Sequence, residues 1–418
     1  MRDKQIVTLN PAKWGKNIEG GVTMTTKSRT TWKRIGALAL SVTLAWGLGP
    51  VHTLPGANAA SSPTCGSGDH GLTAALKKGS GVEGQRLQFT DIDFLNNTTG
   101  RAAGEGFLIG TSNSGCTWQS IYTGQWQFTQ LDFPNNVNGF ALAQVKNSPT
   151  TYVIRSTDGG AHWTRMDTKG IQFKRIDFRN KNEGFGYTYN GAYLTKDGGE
   201  TWNRISTPAN TRGAVFTTEK QGYAIVVAPG SGYRIMQTSN GGKNWTQSLK
   251  VASTTWSGGD LYASGKQVWA LLYGDAGMSQ QSYSLYASGN EGKNWRQVFA
   301  QSTAGGGPAP GASSTGNGKG PADPGGHPGN MALIGNQTAY LSAGSPAAGK
   351  VGIGRSYDAG STWKNIDLKD PGYSSRISFP SAKTGWLVVT SDNSPAIYET
   401  TDGGTTWKQK ILLPAENE

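Results

Sequence analysis

Apolar and polar residues alternate in short segments along much of the chain, and a turn signal follows most of them. The clearest segments are IDFLNN, LDFPNNVNGF, IDFRNKNEGF, AVFTTEKQGY and ISFPSAKTGW, which begin at residues 92, 131, 176, 214 and 377. Weaker versions begin at Leu261 and Ala332. A period of two is typical of strands with one buried face. The pattern therefore predicts repeated hairpins, each entered by a buried strand.

A second pattern follows each of these segments, with the form Ser/Thr-x-Asp/Asn-x-Gly-x-x-Trp. We call these eight-residue segments the boxes. They read TSNSGCTW at 111, STDGGAHW at 156, TKDGGETW at 195, TSNGGKNW at 238, SGNEGKNW at 288, SYDAGSTW at 356 and TTDGGTTW at 400. Their starts lie 45, 39, 43, 50, 68 and 44 residues apart. About 40 to 45 residues is the length of one four-stranded propeller blade.

Seven boxes predict an all-β fold, a seven-bladed β-propeller over residues 88–413 with four antiparallel strands per blade. We name the strands of a blade A to D, and each box is expected at a C–D turn. In the second blade this places the strands near 127–133, 139–145, 151–156 and 162–167. The first blade is the shortest, because GRAAGEGFLIG has to supply both strands B and C.

The boxes have a structural explanation. The Asp or Asn is expected to accept backbone N–H groups two or three residues on, the Gly to adopt a positive φ, and the Ser or Thr hydroxyl to close the turn. The Trp is expected to begin strand D and pack against a neighbouring strand. A calcium loop is the alternative, but its four to six oxygen ligands are not found. The turn-forming residues are Asn113, Asp158, Asp197, Asn240, Asn290, Asp358 and Asp402, with Trp118, Trp163, Trp202, Trp245, Trp295, Trp363 and Trp407.

Residues 1–59 are interpreted as a leader and an export signal. Basic residues at 27–34 precede an apolar run from Ile35 to about Leu48, and Ala57-Asn58-Ala59 fits a cleavage site. The mature chain then begins near Ala60 and is secreted or extracytoplasmic; an uncleaved membrane anchor is the alternative. Met24 is a candidate for the true start.

Charge and composition narrow the function. The formal net charge is +12, but the segment after Ala59 has 31 Lys and Arg against 25 Asp and Glu. This mild excess does not favour nucleic-acid binding. No cofactor or metal motif is found, and we expect a monomer.

Three further segments complete the predicted organisation. Residues 60–87 form a mature N-terminal segment and 414–418 a tail. Residues 302–330, rich in Gly, Pro, Ser and Ala, are predicted to be a flexible loop. Export permits a disulfide between Cys65 and Cys116, the two cysteines of the chain; two separate thiols are the alternative.

A binding surface is expected on the face away from the boxes, where B–C and D–A loops meet. Arg175, Arg212 and Arg376 lie three or four residues before the last aromatic residue of an inner strand, near the expected mouth of the channel. Such a cluster would suit a carboxylate or phosphate partner. Solvated arginines are the alternative. Loop aromatics that could stack on sugars or a partner protein, or pack between blades, are Trp126, Trp256, Tyr273, Tyr283 and Tyr373.

Catalytic signals are weak. None of the HExxH, CxxC, GxSxG or Walker patterns occurs. A glycosidase needs two carboxylates at a defined separation, and Asp275 and Asp392 are the loop carboxylates available. We therefore name no catalytic residue; the sequence favours a protein without enzyme activity, with a glycoside hydrolase as the alternative.

The boxes resemble the Asp-box, or bacterial neuraminidase repeat, of sialidases. The stretch RIDFRNKNEGFGYTYNGAYLTKDGGETW, residues 175–202, resembles the photosystem II stability/assembly factor-like family most, over about 86–413. That resemblance implies an exported or lumenal seven-bladed propeller that acts as a binding scaffold and carries an arginine patch. The expected partner is a protein or a cell-envelope polymer. The alternative is a carbohydrate-active enzyme or a lectin whose partner is a glycan.

Overall fold

The computed structural model describes residues 65–80, 87–255, 257–277, 280–312, 322–391 and 395–414. The described residues all belong to one compact unit. The predicted leader and signal, 1–59, and residues 415–418 of the predicted tail, 414–418, lie outside the described residues. Within them the chain has one α-helix, α1 (Leu72–Ser80), and 26 strands arranged in six antiparallel sheets.

The first sheet has six strands and carries two boxes. Its strands are β1 (Phe89–Phe94), β2 (Gly100–Thr111), β3 (Gln119–Asp132), β4 (Gly139–Val145), β5 (Tyr152–Ser156) and β6 (Thr164–Arg165). The first half of β2 pairs with β1 and its second half with β3. The second half of β3 then pairs with β4.

The number of blades predicted from the seven boxes is wrong, since the described residues form six sheets. The physical reason lies in β2 and β3. Strand β2 continues through the Gly-Glu-Gly turn, and β3 continues through the expected D–A junction without a loop. The first two repeats therefore share hydrogen bonds in one sheet, where separate blades would share side-chain contacts alone.

The other five sheets have the predicted four antiparallel strands each, and each carries one box. They are β7 (Arg175–Phe178), β8 (Gly184–Thr188), β9 (Gly191–Thr195) and β10 (Asn203–Ile205); β11 (Thr211–Phe216), β12 (Gly222–Ala228), β13 (Gly232–Thr238) and β14 (Thr246–Val251); β15 (Gly258–Ser264), β16 (Gln267–Gly277), β17 (Gln280–Ser288) and β18 (Arg296–Gln301); β19 (His327–Ile334), β20 (Thr338–Ser345), β21 (Lys350–Ser356) and β22 (Lys364–Pro371); and β23 (Ser374–Ser378), β24 (Gly385–Thr390), β25 (Ala396–Thr400) and β26 (Lys408–Leu412). A 3₁₀ turn, Pro346–Ala348, connects β20 to β21.

Successive sheets contact one another around a ring, and β23 and β24 of the last sheet contact β1 of the first. The structure is a β-propeller. Strands β1, β3, β7, β11, β15, β19 and β23 enter their repeats and contribute residues to a central cavity. We call them the inner strands.

An aromatic interlock explains why a Gly follows so many inner strands. A Phe ends or directly follows five of them, and the next strand begins with a Gly. A Cβ atom at that Gly would lie 2.2–2.6 Å from the Phe ring, so a larger residue would have to displace it. The pairs are Phe94 with Gly100, Phe133 with Gly139, Phe178 with Gly184, Phe216 with Gly222 and Phe379 with Gly385.

Four of these Phe rings also stack on an aromatic ring of the neighbouring repeat. Phe140 stacks on Phe178 of the next repeat with ring centroids 3.4 Å apart, and Tyr340 stacks on Phe379 at 3.7 Å. Five of the box Trp residues contact the Phe of their own repeat edge-on, as Trp202 does with Phe178 at 5.9 Å. Such pairs add to the free energy from burial.

The ring closes with this same contact. Trp386 of the last sheet stacks on Phe94 of the first, with centroids 4.1 Å apart, and meets Trp118 edge-on at 6.1 Å. The backbone N–H of Phe94 donates to Ser378 Oγ at 2.9 Å. We call this junction between the last and first sheets the closing seam.

Residues 65–80, which we call the N-terminal clasp, lie at the closing seam. Gly68 forms a parallel bridge with Ile411 of β26, and Leu76 of α1 shares a buried cluster with Trp386 and Ile411. Cys65 and Cys116 form a disulfide, which ties the clasp to the first box.

The flexible-loop prediction for 302–330 needs correction at both ends. The carbonyl of Pro310 accepts hydrogen bonds from Ser284 Oγ at 2.6 Å and Tyr286 Oη at 3.3 Å, so the first part packs on the fourth sheet. His327–Asn330 belongs to β19. Polar main-chain contacts order this segment where apolar side chains are scarce. Residues 313–321 lie outside the described residues.

Candidate functional site

The inner strands enclose a central cavity of about 900 Å³. Alternate residues of a strand point to the same side, so six of the seven inner strands each place two positions towards the cavity, and the seventh, β11, lines it with residues 212–215. The first position, which we call the strand-start layer, holds Asp91, Gln130, Arg175, Asp260, Asn330 and Arg376. The second, the strand-end layer, holds Asp93, Asp132, Asp177, Tyr262, Ala332 and Ser378.

The carboxylates of these layers hold inner strands together. Asp91 Oδ2 accepts the backbone N–H of Leu131 at 2.7 Å, and Asp93 Oδ2 accepts that of Phe133 at 2.7 Å. Gln130 does the same between β3 and β7, where Ile176 N donates to its Oε1 at 3.0 Å. The aspartates of the DF segments therefore have a structural role.

This structural role places the carboxylates of Asp91 and Asp93 in the wall of the enclosed cavity. Burial raises the pKa of Asp91 to about 6, against the opposing effect of Arg376 and the hydrogen bond from Leu131. Burial, together with the negative charge of Asp91, raises the pKa of Asp93 to about 7. The cavity wall next to β1 is thus partly protonated near neutral pH.

Two of the three predicted arginines lie near enough to carboxylates of the cavity to influence their pKa values. Arg175 donates to the carbonyls of Ala214 and Leu261, both at 2.8 Å, and so spans three sheets. The positive charge of Arg175 opposes the rise in the pKa of Asp177 that burial causes. Arg376 opposes the rise in the pKa of Asp91 in the same way. Arg175 is therefore a structural bridge more than a free cation.

Arg212 is different, and it lies with two residues that the sequence analysis missed. Its guanidinium lies 5.0 Å from the ring centroid of Tyr189, and Lys174 Nζ lies 4.4 Å from the same centroid. Tyr189 is 47% exposed. Neither cation forms an ion pair with a carboxylate in the part of the chain that the structure describes. We call Lys174, Tyr189 and Arg212 the cationic ridge.

Local sequence positions this ridge. Lys174 precedes inner strand β7, and Arg212 lies at the start of inner strand β11. Tyr189 occupies the short β8–β9 turn, beside Asn190 and Gly191. An aromatic residue next to an Asn-Gly turn is placed at a hairpin tip, and this signal could have identified Tyr189 as exposed.

The predicted aromatics do not form one surface. Tyr273 lines the cavity and donates to Asp260 Oδ2 at 2.5 Å. Trp126 is buried against Tyr152, and Tyr283 is fully buried with its hydroxyl on the Gly325 carbonyl at 2.7 Å. Tyr373 is half-buried away from the residues that line the cavity. Trp256 lies outside the described residues.

A second groove of about 610 Å³ adjoins the cavity. The two share Lys174, Thr188 and Tyr189, so the cationic ridge forms the border between them. Ile171, Phe173 and Tyr193 supply apolar wall to the groove. No carboxylate is among the described residues that line it.

The boxes are hydrogen-bonded turns. Ser156 Oγ donates to Asp158 Oδ1 at 2.9 Å and accepts the N–H of Gly160 at 2.8 Å. Asp158 Oδ1 accepts the N–H of His162 at 3.0 Å, four residues on, where we predicted two or three. Gly160 has φ 103° as predicted. Burial would raise the pKa of Asp158, but the bonds from His162 and Ser156 outweigh it and lower the pKa to about 2.

The two loop carboxylates considered for a glycosidase are not brought together among the described residues. Asp275 is exposed in β16, and Asp392 lies outside the described residues. Among the residues described, no three His, Cys, Asp or Glu side chains are grouped to hold a metal ion. A helix of sufficient length and apolarity to cross a bilayer is likewise not found in that part of the chain.

No protein-family model matches the chain, and no curated protein matches it. Solved structures do. A GH74 xyloglucanase from Xanthomonas campestris is 13% identical, with a TM-score of 0.51, over 79% of this chain and 55% of that one. YCF48 from Cyanidioschyzon merolae is 16% identical, with a TM-score of 0.47, over 77% of this chain and 97% of that one. YCF48 bound to a D1 peptide is 18% identical, with a TM-score of 0.44, over 73% of this chain and 89% of that one.

These similarities concern the fold. The chain spans about half the length of the xyloglucanase it resembles, and at this identity the likeness establishes the propeller and not an activity. The two YCF48 structures superpose less well and add no argument of their own. The chain is thus similar in fold to a propeller enzyme, and this similarity does not assign it an activity.

Proposed function

We propose that this protein is an exported, non-catalytic propeller scaffold that binds an anionic segment of a partner protein at the cationic ridge. Export follows from the signal predicted in residues 24–59. The scaffold role follows from the resemblance of the repeats to the photosystem II stability/assembly factor-like family. The seven boxes, interpreted as Asp-boxes, are the turns that build the scaffold.

One observation supports the binding site above the others. Lys174 and Arg212 are held against the exposed ring of Tyr189, and neither is paired with a carboxylate of the described chain. The cation–π contacts already hold the two charged side chains in place. Binding of a partner therefore requires little further loss of side-chain entropy. Two fixed cations at a rim attract and orient a carboxylate-bearing segment.

The ridge is less suited to a sugar. Stacking on a sugar needs a free aromatic face, and cations lie over the ring of Tyr189. The carboxylates of the cavity wall mainly hold backbone N–H groups. A glycoside hydrolase or a lectin nevertheless remains the competing function that an assay has to exclude.

The test is an affinity capture from the cell envelope with the mature chain as bait. The charge reversal Lys174→Glu with Arg212→Glu should weaken capture of a specific protein at least about tenfold, or about 1.4 kcal/mol. Lys383→Glu, in the exposed β23–β24 turn, is the matched control and should capture as the wild type does.

Glycan binding and hydrolysis are measured on the same three proteins. Turnover of a glycoside, or glycan binding that survives the charge reversal, would overturn the proposal. Equal capture by all three proteins would also overturn it, because the partner would then bind elsewhere.

A further inference from the structure

The groove beside the cationic ridge has a chemistry that complements the ridge. Phe173 is buried in its floor, with its ring centroid 5.6 Å from that of Tyr193, and Ile171 is half-buried beside them. The groove is therefore a concave apolar surface that a partner side chain can enter, and burial of such a side chain is favourable.

The rim of the groove carries uncharged polar groups. Thr151, Gln172, Thr188 and Asn190 line it together with the apolar residues. Hydroxyl and amide groups of this kind can donate to and accept from a peptide backbone. Lys169, the other cation of the groove, is already paired with Asp167, with 2.6 Å between Nζ and Oδ2.

The ridge and the groove are contiguous, since Lys174, Thr188 and Tyr189 belong to both surfaces. A single extended segment can therefore contact both at once, at a rise of about 3.3 Å per residue. The charged contacts would come from one end of the segment and the apolar contact from the other.

We infer that the groove is a second subsite, which receives an aliphatic or aromatic side chain of the same extended acidic segment whose carboxylates bind Lys174 and Arg212. This inference rests on the proposed function and deepens it. It defines the recognised motif as acidic residues followed or preceded within a few positions by a large apolar residue.

The motif is tested with a phage-displayed library of random peptides selected on the folded mature chain. The wild type should enrich Asp or Glu together with Leu, Ile or Phe at a fixed spacing. Ile171→Ser should remove the apolar preference and retain the acidic one. The best peptide should bind this variant roughly tenfold more weakly.

Val137→Ser is the matched control, because Val137 is an exposed apolar residue in the β3–β4 turn. It should select the same peptides as the wild type. Tyr189→Phe should also select them, since the ring is retained. Circular dichroism of each variant shows that it is folded.

The outcomes separate the inference from the proposed function. Selection of acidic residues alone, unaffected by Ile171→Ser, would overturn the second subsite and leave the ridge in place. A selection without acidic residues would overturn both. Selection of no peptide by a chain that binds polygalacturonate would assign the surface to a glycan and also overturn both.

Discussion

The closing seam and the first interior junction each join the inner strands of two neighbouring repeats, but with different acceptor groups. Between β1 and β3, two carboxylates accept the backbone N–H groups of Leu131 and Phe133. At the closing seam, the Phe94 N–H is accepted by the neutral hydroxyl of Ser378. The interior junction is also covalently continuous through β2 and β3, whereas the closing seam joins the two ends of the chain.

This difference shows where the fold needs additional contacts. Continuous strands hold the first two repeats in one sheet. The closing seam has no such connection. It combines the Trp386–Phe94 stack with the clasp, the bridge to Ile411 and a disulfide. Each of these can be removed separately.

The largest expected effect comes from Trp386→Ala. Trp386 is fully buried and touches both Phe94 and Trp118. Its loss should lower the free energy of unfolding by about 3–5 kcal/mol, in the range of large aromatic truncations. Hydrogen exchange should become faster in β1 and β23.

Phe185→Ala is the interior counterpart, because Phe185 stacks on Phe216 with centroids 5.5 Å apart. It should cost less than Trp386→Ala and leave exchange in β1 unchanged. A larger loss at Phe185 would show that the closing seam is not the weaker junction.

The next effect in size is that of the disulfide. Cys65 and Cys116 are 51 residues apart, and disulfides typically contribute about 2–4 kcal/mol, with the chain-entropy model giving about 4 kcal/mol for a loop of this length. Cys65→Ser with Cys116→Ser should lower the midpoint of urea unfolding accordingly. Reduction of the wild type should reproduce the effect, and reduction of the double variant should change nothing.

The smallest effect is a pH dependence of the interior junction. The pKa of Asp91 is about 6 in the folded chain, against about 4 when unfolded. The folded state therefore binds the Asp91 proton more tightly than the unfolded state does. The contribution of Asp91 to the free energy of unfolding is fully present below pH 4 and is lost as the pH rises through 6. The full loss is about 2–3 kcal/mol.

Asp91→Asn keeps an acceptor for Leu131 and removes the charge, so its stability should vary less between pH 4 and 6. Asp158→Asn is the control, since the pKa of Asp158 is lowered to about 2 and its contribution changes below pH 4. Urea unfolding at pH 4, 5, 6 and 7 measures both slopes. Parallel curves for wild type and Asp91→Asn would contradict the assignment.

The sequence was a good guide to local structure. The period-two segments and the boxes predicted the strands well: β4 has the expected bounds, 139–145. The Gly of the box turns has the expected positive φ. These features depend on neighbouring residues, so a local pattern is sufficient to predict them.

Properties that depend on distant residues were less predictable. The fusion of the first two repeats arises because β3 continues from one repeat into the next without a turn. No residue in this part of the sequence indicates that the turn is missing. Arg175 looks like a free cation in sequence, but carbonyls 39 and 86 residues further on accept its hydrogen bonds. Tyr283 looked like a loop aromatic and is buried by a segment that had been expected to be flexible.

The clasp also sets an order of events during biosynthesis. Cys65 and Cys116 are both present once the first repeat has been made, so the disulfide can form early. The bridge between Gly68 and Ile411 has to wait until β26, the last strand, is available. A nascent chain that emerges N-terminus first would therefore carry its clasp attached to the first sheet before the final strand is made, and the clasp could pair with that strand when synthesis ends.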